Sequence, residues 1–377
     1  MIKKLTLKNF KAFEEETFNI APLTLITGIN GMGKSSIIQS LLLLKDNYNI
    51  KNLTTGNPIS LTGDLVDLET AESLCYFKAN DRKVSIDIVD ENSSEGNKLN
   101  DYCWELDASI ANAIELPFSF SSTGDLEDLS LFRPSFIFLS AERLGPRGEY
   151  EKKYKRNFNT RLGVQGELTP AYLNNAANAN QKIGLPGMKN SKLPQGADQL
   201  TENVNAWMSQ IMALPMKTIS NSISDSKFKL EYKFEGSMGK NFSALQVGFG
   251  MTFVLPIVVA LLQAQKGDLI IVENPEAHLH PAAQVEIGMM IAQAVENGVQ
   301  VIVESHSDHI LNSLRLARKK GILGEKDINL IFVQHDISSG TNITFTDEIQ
   351  IKDNGKLTKR PEYFFDTWDD ILIKLID

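Results

Sequence analysis

The sequence has little cysteine and no excess of basic residues. Its two cysteines, Cys75 and Cys103, are too few for a disulfide framework and lack metal-ligand spacing, which favours a reducing compartment. A formal net charge of −9 excludes a protein coated with nucleic-acid-binding surface, so any DNA binding must be local. The most apolar stretch, residues 251–262, contains Pro256 and falls well short of the ~20 residues that span a bilayer. We therefore expect a cytoplasmic protein with no membrane partner.

The composition is that of an ordinary globular protein with a hydrophobic core. Apolar residues make up 42% of the 377 residues and charged residues 23%. Apolar and polar residues alternate over residues 2–10, and residues 22–27 are a second strand candidate. Residues 35–45 carry an apolar stripe at helical spacing. The order strand, glycine-rich loop, helix is thus predicted near the N-terminus.

The middle of the chain changes character twice. Residues 59–106 contain short alternating strands with polar turns, which predicts an antiparallel subdomain. Residues 145–200 are rich in Gly, Asn, Lys and Pro without clear periodicity, which predicts a long loop or lid of unknown role. Two apolar runs, residues 268–272 and 299–303, are typical of strands buried on both faces of a parallel sheet.

A glycine-rich phosphate loop is the strongest motif. Residues 28–35 read GINGMGKS, which matches GxxxxGK[ST], and they lie between a predicted strand and a predicted helix. Such a loop wraps the phosphates of ATP with backbone N–H groups and a helix N-terminus. Lys34 would reach the β- and γ-phosphates, and Ser35 would ligate Mg²⁺. The predicted ATP-binding residues of the loop are Asn30, Gly31, Met32, Gly33, Lys34, Ser35 and Ser36.

A second motif combines an apolar strand with carboxylates. Residues 268–276 read DLIIVENPE, the form of a Walker B segment, and Glu273 would face the magnesium ion. The next residue is usually a carboxylate that polarises the attacking water, but here it is Asn274. An amide cannot act as a general base. Either Glu276 substitutes for it, or hydrolysis is slow.

Two further residues are candidates of lower specificity. His306 follows the apolar run at residues 299–303, at the sheet edge where ligands of α/β proteins bind, and could hydrogen-bond the γ-phosphate. A lone histidine is more often structural. Gly248 precedes a predicted apolar helix and could approach a phosphate closely, although a glycine at a helix start is common.

Two other clusters have competing interpretations. Glu276, His278, His280, His306 and His309 are zinc-ligand types, but His278 and His280 fit a turn after the Walker B strand better. Basic residues from Arg143 to Arg161 alternate with aromatics and could grip a nucleic-acid backbone, or form an ordinary solvated loop.

Together these motifs resemble the ATPase heads of the SMC, RecF and OLD group. Residues 5–13 (LTLKNFKAF) are similar to the N-terminal strand motif of that group, and residues 274–281 (NPEAHLHP) resemble the segment after Walker B in OLD-like and Septu-type (PtuA) AAA ATPases of antiphage defence. Residues 139–147 and 360–366 are similar to segments of a compact branch. The resemblance implies an α/β P-loop NTPase of the ABC-ATPase head type, with a mixed central sheet, helices and an antiparallel β subdomain.

The resemblance also implies roles and boundaries. Lys11 would approach the nucleotide, Gly248 would contact ATP held by the opposite subunit of a homodimer, and His306 would be the switch histidine. Residues 1–140 would form the N-terminal lobe, residues 141–240 an insertion or lid, and residues 241–377 the C-terminal lobe. No convincing glutamine loop is present, because Gln39 lies on the P-loop helix.

Three functions remain open at this stage. The first is an ATP-driven sensor or regulator in a defence module whose effector, a nuclease, is a separate chain; OLD-like proteins carry a Toprim nuclease after the ATPase, and no suitable acidic cluster follows His306. The second is a RecF-like DNA-binding ATPase in DNA repair. The third is a nearly inert ATP-binding scaffold.

We predict that Lys34→Ala abolishes nucleotide binding, because it removes the cation that matches the phosphate charge. Equilibrium binding of a fluorescent ATP analogue measures this, and Lys51→Ala, which removes a lysine just after the predicted P-loop helix, is the control. Unchanged ATP affinity in Lys34→Ala would mean that residues 28–35 do not bind phosphate.

Overall fold

The computed structural model describes residues 1–92, 98–151, 161–335 and 344–361, and these form two compact units. The first unit contains residues 1–133 and the segment from residue 324 onward, and the second contains residues 134–323. The strands are β1 (Ile2–Phe10), β2 (Phe13–Asn19), β3 (Leu23–Gly28), β4 (Ile59–Ser60), β5 (Lys83–Asn92), β6 (Lys98–Asp107), β7 (Glu115–Leu116), β8 (Phe118–Ser122), β9 (Ile137–Leu139), β10 (Tyr150–Glu151), β11 (Met216–Ser224), β12 (Lys227–Phe234), β13 (Asn241–Ser243), β14 (Leu269–Glu273), β15 (Gln300–Glu304), β16 (Ile328–His335) and β17 (Thr344–Ile349).

Both units also contain α-helices. They are α1 (Lys34–Asn49), α2 (Asn52–Thr55), α3 (Ala71–Leu74), α4 (Thr169–Asn178), α5 (Leu200–Ile211), α6 (Phe249–Gln263), α7 (Pro281–Glu296) and α8 (Asp308–Lys319). No helix among the described residues is long and apolar enough to cross a membrane.

The first unit contains a five-stranded antiparallel sheet in the order β2-β1-β5-β6-β8. Its strands alternate buried and exposed residues, as strands with one covered face do. Leu5 pairs with Ile88, and Ile86 pairs with Trp104, so the buried side chains of neighbouring strands meet on one face. The predicted antiparallel subdomain is therefore confirmed.

The same unit holds the strand and helix that flank the phosphate loop. β3 runs parallel to β16, with Ile26 opposite Ile331, and β17 is antiparallel to β16. α1 follows β3 after the loop, and residues on several sides of it are buried, including Ile37, Leu41 and Leu44. Burial of each such side chain contributes about 1.5–3 kcal/mol, which anchors the helix behind the loop.

In the second unit β14 lies between β9 and β15, and all three strands are parallel. Ile271 is opposite Phe138 on one side and Ile302 on the other, and all three side chains are buried. Because parallel strands end at the same edge, the segments that follow β9, β14 and β15 are brought together. This edge carries the second group of predicted site residues.

A second sheet of this unit has the order β10-β12-β11, with β13 also paired to β12. The segment after β10 includes α4, so the expectation of a loop throughout residues 145–200 is wrong there. α4 has a low helix propensity because it contains three asparagines, which are poor helix formers. Burial of Leu173 and Ala176 stabilises it instead.

Two other elements compare differently with the sequence prediction. Strand β2 was missing from it, whereas the apolar run near residue 251 is the predicted buried helix, α6.

A buried carboxylate on α1 generates a pH-dependent stability. Asp46 is 6% exposed, and its side chain accepts hydrogen bonds from the backbone N–H groups of Leu65 (2.8 Å) and Val66 (3.1 Å). Burial raises the pKa of Asp46 to about 6 from the ordinary 3.8. The folded state therefore holds the proton more tightly than the unfolded state, so this group destabilises the fold as pH rises from about 4 to 7.

We predict that Asp46→Asn gains stability relative to the wild type over that pH range, by about 3 kcal/mol at most, since each pKa unit corresponds to about 1.4 kcal/mol. Urea unfolding of both proteins at a series of pH values measures the difference. Asp101→Asn controls for the loss of one surface charge. A difference that stays constant from pH 4 to 7 would contradict the prediction.

Candidate functional site

The phosphate loop joins β3 to α1, and two of its glycines have steric reasons to be glycine. Gly28 has φ 141°, and a Cβ there would lie 2.1 Å from the carbonyl oxygen of Val333. Gly33 has φ 98°, and a Cβ there would lie 2.5 Å from the Cβ of Ala12. The backbone can take this compact course only without side chains at both positions.

The loop presents groups that suit an anion. Gly33 is the N-cap of the 16-residue helix α1, so the helix N-terminus faces the loop. Gly31 has φ 79° and nothing within 4 Å of an added Cβ, which leaves room for a ligand beside its backbone. The Lys34 Nζ donates a hydrogen bond to the carbonyl of Ile29 at 2.8 Å, and the Ser35 side chain is exposed. These residues fit the triphosphate group of a nucleoside triphosphate.

Lys11 lies next to the same helix. It has φ 49° in the turn between β1 and β2, and its Nζ donates a hydrogen bond to the Gln39 side chain at 2.9 Å. Burial lowers the pKa of Lys11, and the charge of Glu69 partly offsets this effect. The contact fixes Lys11 against the P-loop helix, while a contact with nucleotide stays a prediction.

In the second unit Glu273 ends β14 with a half-buried carboxylate. Its Oε2 accepts a hydrogen bond from the backbone N–H of Ala141 at 2.9 Å, in the segment after β9. Burial raises the pKa of Glu273, against the opposing effects of the Ala141 N–H and the Arg143 charge. The neighbouring strand thus fixes one oxygen of this carboxylate.

Asn274 follows in a left-handed conformation, with φ 44°. Its N–H donates to the carbonyl of Glu304 at 2.8 Å, and its own carbonyl accepts a hydrogen bond from Arg143 Nη2 at 2.5 Å. The side-chain Oδ1 is buried and has no hydrogen-bond partner among the described residues. An amide oxygen in this position can accept a hydrogen bond from water, but it is too weak a base to take the proton.

Glu276 connects this turn to the candidate switch histidine. One carboxylate oxygen accepts a hydrogen bond from the Ser305 hydroxyl at 2.8 Å, and the other accepts one from the backbone N–H of His306 at 2.9 Å. The structure therefore brings Glu273, Asn274, Glu276 and His306 to one sheet edge. Glu276 is placed to hold the backbone that carries His306.

Further hydroxyl and amide groups extend this network. The N–H of Ser307 donates to the Ser305 hydroxyl at 3.1 Å, and the Ser307 hydroxyl donates to Gln284 Oε1. The Gln284 amide in turn donates to the carbonyl of Leu279 at 2.9 Å. Two links thus join the turn after β14 to the segment after β15. The sequence prediction missed Ser305 and Gln284, because an isolated serine or glutamine carries no motif.

Gly248 is the N-cap of α6 and is exposed, with nothing within 4 Å of an added Cβ. Two residues further along the helix, Gly250 packs so tightly that a Cβ would lie 2.6 Å from the carbonyl oxygen of His278. The start of α6 therefore packs directly on the turn that follows β14. Gly248 itself stays open to the outside.

The histidines that suggested zinc have other partners. His278 packs against the rings of Phe249 and Phe253 at centroid distances of 5.6 and 4.5 Å. His280 accepts a hydrogen bond from the Ala282 N–H and so caps α7. Within the described ranges, no group of three or more His, Cys, Asp or Glu side chains could hold a metal ion. Most of the basic segment considered for DNA binding, residues 152–160, lies outside the described residues.

Comparisons with known proteins show what this chain is similar to. A family model described as "AAA ATPase domain" matches residues 1–116, and one described as "AAA domain, putative AbiEii toxin, Type IV TA system" matches residues 155–312. The Old nuclease of Escherichia phage P2 is 20% identical over 353 residues, which cover 84% of this chain and 58% of that protein. The OLD nuclease of Thermus scotoductus is 22% identical over 352 residues, which cover 85% and 62%. This chain thus spans less than two thirds of the length of these relatives.

Solved structures share the fold. The SmcHead bound to the C-winged helix domain of ScpA is 13% identical, with a TM-score of 0.57, and the match covers 93% of this chain and 98% of that one. A Pyrococcus furiosus Smc head domain with an extended coiled coil, bound to the C-terminal domain of ScpA, is 12% identical, with a TM-score of 0.55 and coverage of 100% and 99%. The predicted fold class, an α/β P-loop NTPase fold of the ABC-ATPase head type, is confirmed.

Proposed function

We propose that this chain, an OLD-like ATPase of the ABC and SMC type, binds ATP on its phosphate loop and hydrolyses it slowly between two copies of itself. The observation that carries the proposal is the loop itself. Two sterically required glycines, Gly28 and Gly33, lead into the N-terminus of α1 with Lys34 folded over the turn. These features fit a phosphate cradle, and AAA and ABC ATPases, which the chain resembles, generally bind ATP there.

The ligand roles follow the motifs. Lys34 neutralises phosphate charge, while the backbone from Asn30 to Ser36 donates hydrogen bonds to the phosphates. Ser35 and Glu273 are the proposed magnesium ligands, both with the hard oxygen atoms that Mg²⁺ prefers. Bound magnesium would neutralise the charge that develops on the phosphates during transfer.

Slow turnover is proposed from the chemistry of two residues. Asn274 occupies the position that the resemblance gives to the catalytic glutamate, and its amide cannot remove a proton from water. Glu276 is a base by type, but both of its oxygens accept hydrogen bonds from Ser305 and His306. We infer that Glu276 positions His306, whose side chain is exposed for contact with the γ-phosphate.

The homodimer is proposed from the surroundings of Gly248. An exposed helix start with no side chain lets a phosphate approach the backbone, and the partner copy would supply that phosphate on its own loop. Leu245 and Phe249 flank this glycine and are 64% and 56% exposed. Such apolar side chains beside an open helix start suit an interface that forms on ATP binding.

The biological role is proposed from the relatives. Two proteins that it matches along most of its length are named nucleases, and residues 274–281 resemble the segment after Walker B in ATPases of antiphage defence. We propose that this ATPase is a cytoplasmic sensor or regulator of an antiphage defence module and controls an effector on a separate chain, a nuclease. A RecF-like DNA-binding ATPase and an inert ATP-binding scaffold are the alternatives that the following experiments distinguish.

We predict that Asn274→Glu raises the kcat of ATP hydrolysis by about 100-fold, because it restores a general base and such groups contribute about 10²–10⁴ in rate. Asn274→Gln, which adds the same length without a base, is the matched control. Steady-state phosphate release measures both. Equal rates for Glu and Gln at position 274 would mean that this position does not limit hydrolysis.

The same assay separates the remaining hypotheses when it is run with and without DNA, beside Glu273→Gln and Glu276→Gln. Loss of hydrolysis in Glu276→Gln with unchanged ATP affinity fits a positioning carboxylate or a substitute base. Strong stimulation of the wild type by DNA favours the DNA-repair alternative. No turnover in any condition, with tight ATP binding, favours the scaffold.

We predict that Gly248→Arg prevents ATP-dependent dimerisation without loss of ATP binding. The space around this position accommodates a side chain within the protomer, so the variant should fold, while the arginine blocks approach of a partner's phosphate. Light scattering with and without ATP measures the mass, and Asn112→Arg, at an exposed position of the first unit without a positive φ, is the control. A Gly248→Arg protein that dimerises normally would exclude Gly248 from the interface.

A further inference from the structure

Arg143 is a buried arginine whose hydrogen-bond partners are all backbone carbonyls. The residue is 3% exposed. Its Nη1 donates to the carbonyls of Ser140 at 2.9 Å and Glu273 at 2.5 Å, and its Nη2 donates to that of Asn274 at 2.5 Å. Its Nε donates to the carbonyl of Phe253 at 3.1 Å. One side chain therefore joins the end of β9, the turn after β14, and helix α6.

This arrangement is costly for a residue that serves packing alone. Burial lowers the pKa of Arg143 to about 10, opposed by the charges of Glu276 and Glu273, so the guanidinium stays charged near pH 7. A buried charge is seldom more stabilising than an apolar side chain of the same size. A rigid fork of five N–H donors can, however, fix several carbonyls in one geometry, which neither methionine nor lysine can do.

Other contacts tie the start of α6 to the same turn. Gly250 approaches the carbonyl of His278 so closely that a Cβ would lie 2.6 Å from it. The His278 ring packs against Phe249 and Phe253, and the Arg143 guanidinium lies 5.8 Å from the Phe253 ring centroid. The first turns of α6 therefore contact the turn from Glu273 to His278 through both backbone and side chains.

We propose that Arg143 is a positioning residue. It makes the start of α6 and the turn from Glu273 to His278 move as one body. A contact made at Gly248 then shifts Asn274 directly, and shifts His306 through Glu276. The proposal rests on the proposed function in one respect, because the contact at Gly248 is taken to be the partner's nucleotide. It assigns Arg143 the coupling between dimer closure and hydrolysis.

The kinetic test compares Arg143→Met and Arg143→Lys with the wild type. A displaced turn should lower kcat by about 100-fold in Arg143→Met, as an error of about 1 Å in positioning does, and leave the KM for ATP within about twofold. Arg143→Lys should be only slightly better, since one ammonium cannot reach four carbonyls. The control is Arg318→Met, which removes a guanidinium from the last turn of α8, where it donates a hydrogen bond to the carbonyl of Leu323. This variant should keep the wild-type kcat.

Hydrogen exchange tests the coupling without any need for turnover. In Arg143→Met, amides of residues 249–255 and of residues 273–280 should both exchange at least about tenfold faster, because local opening of either segment no longer breaks those hydrogen bonds. Arg318→Met should leave both segments unchanged. Addition of ATP should protect residues 249–255 in both proteins, but residues 277–280, which contain no proposed nucleotide ligand, only in the wild type.

The outcomes separate the two proposals. Unchanged exchange of both segments in Arg143→Met, or ATP protection of residues 277–280 in that variant equal to that in the wild type, would overturn the role of Arg143. Absence of any ATP effect in the wild type would instead refute nucleotide-driven closure, and the exchange without ATP would still decide whether Arg143 joins the segments. A fall in kcat with an equal rise in KM would indicate a general loss of structure and count against positioning.

Discussion

The sheet edge of the second unit that carries the candidate site depends on a left-handed backbone between β14 and α7. Asn274 and His278 have φ values of 44° and 61°, a conformation that costs a non-glycine residue about 1–3 kcal/mol and persists only where surrounding contacts hold it. Asparagine and histidine are among the non-glycine residues that adopt it most readily. These two left-handed residues let the chain place Glu276 against the segment after β15 and His278 against α6. The contacts that flank this turn therefore determine the geometry of the site.

This constraint also bears on the chemistry at position 274. The peptide of Asn274 is held on one side by Glu304, through its N–H, and on the other by Arg143, through its carbonyl. Asparagine satisfies the backbone conformation that the turn requires, whereas a catalytic glutamate would have to adopt it at greater cost. Asn274, which replaces the glutamate expected as general base, is thus well suited to the turn. In the proposed function, slow hydrolysis and a firmly held segment around His306 would both follow from the asparagine at position 274.

The sequence predicted the parts of the protein that depend on local pattern. The phosphate loop, the buried strands β14 and β15 and helix α6 could be recognised because glycine spacing and apolar runs are visible over a few residues. Contacts between distant segments carry no such pattern. The hydrogen bonds of Arg143 to residues 110 to 131 positions away, and of Glu276 to Ser305, follow only from the fold. Helix α4 was missed because burial, and not helix propensity, stabilises it.

Lys34 on the phosphate loop and Lys11 in the β1–β2 turn, the two lysines expected to contact ATP, both have partners within the protein. Lys34 donates to the carbonyl of Ile29, and Lys11 donates to the side chain of Gln39. An ammonium group carries three donors, so each lysine can keep its protein acceptor and still donate to phosphate. A hydrogen bond to a charged phosphate oxygen is roughly twice as strong as one to a neutral acceptor. Because Gln39 is a residue of α1, the Lys11–Gln39 contact holds the β1–β2 turn beside the P-loop helix. In the proposed mode, ATP would therefore bind the β1–β2 turn and the N-terminus of α1 together.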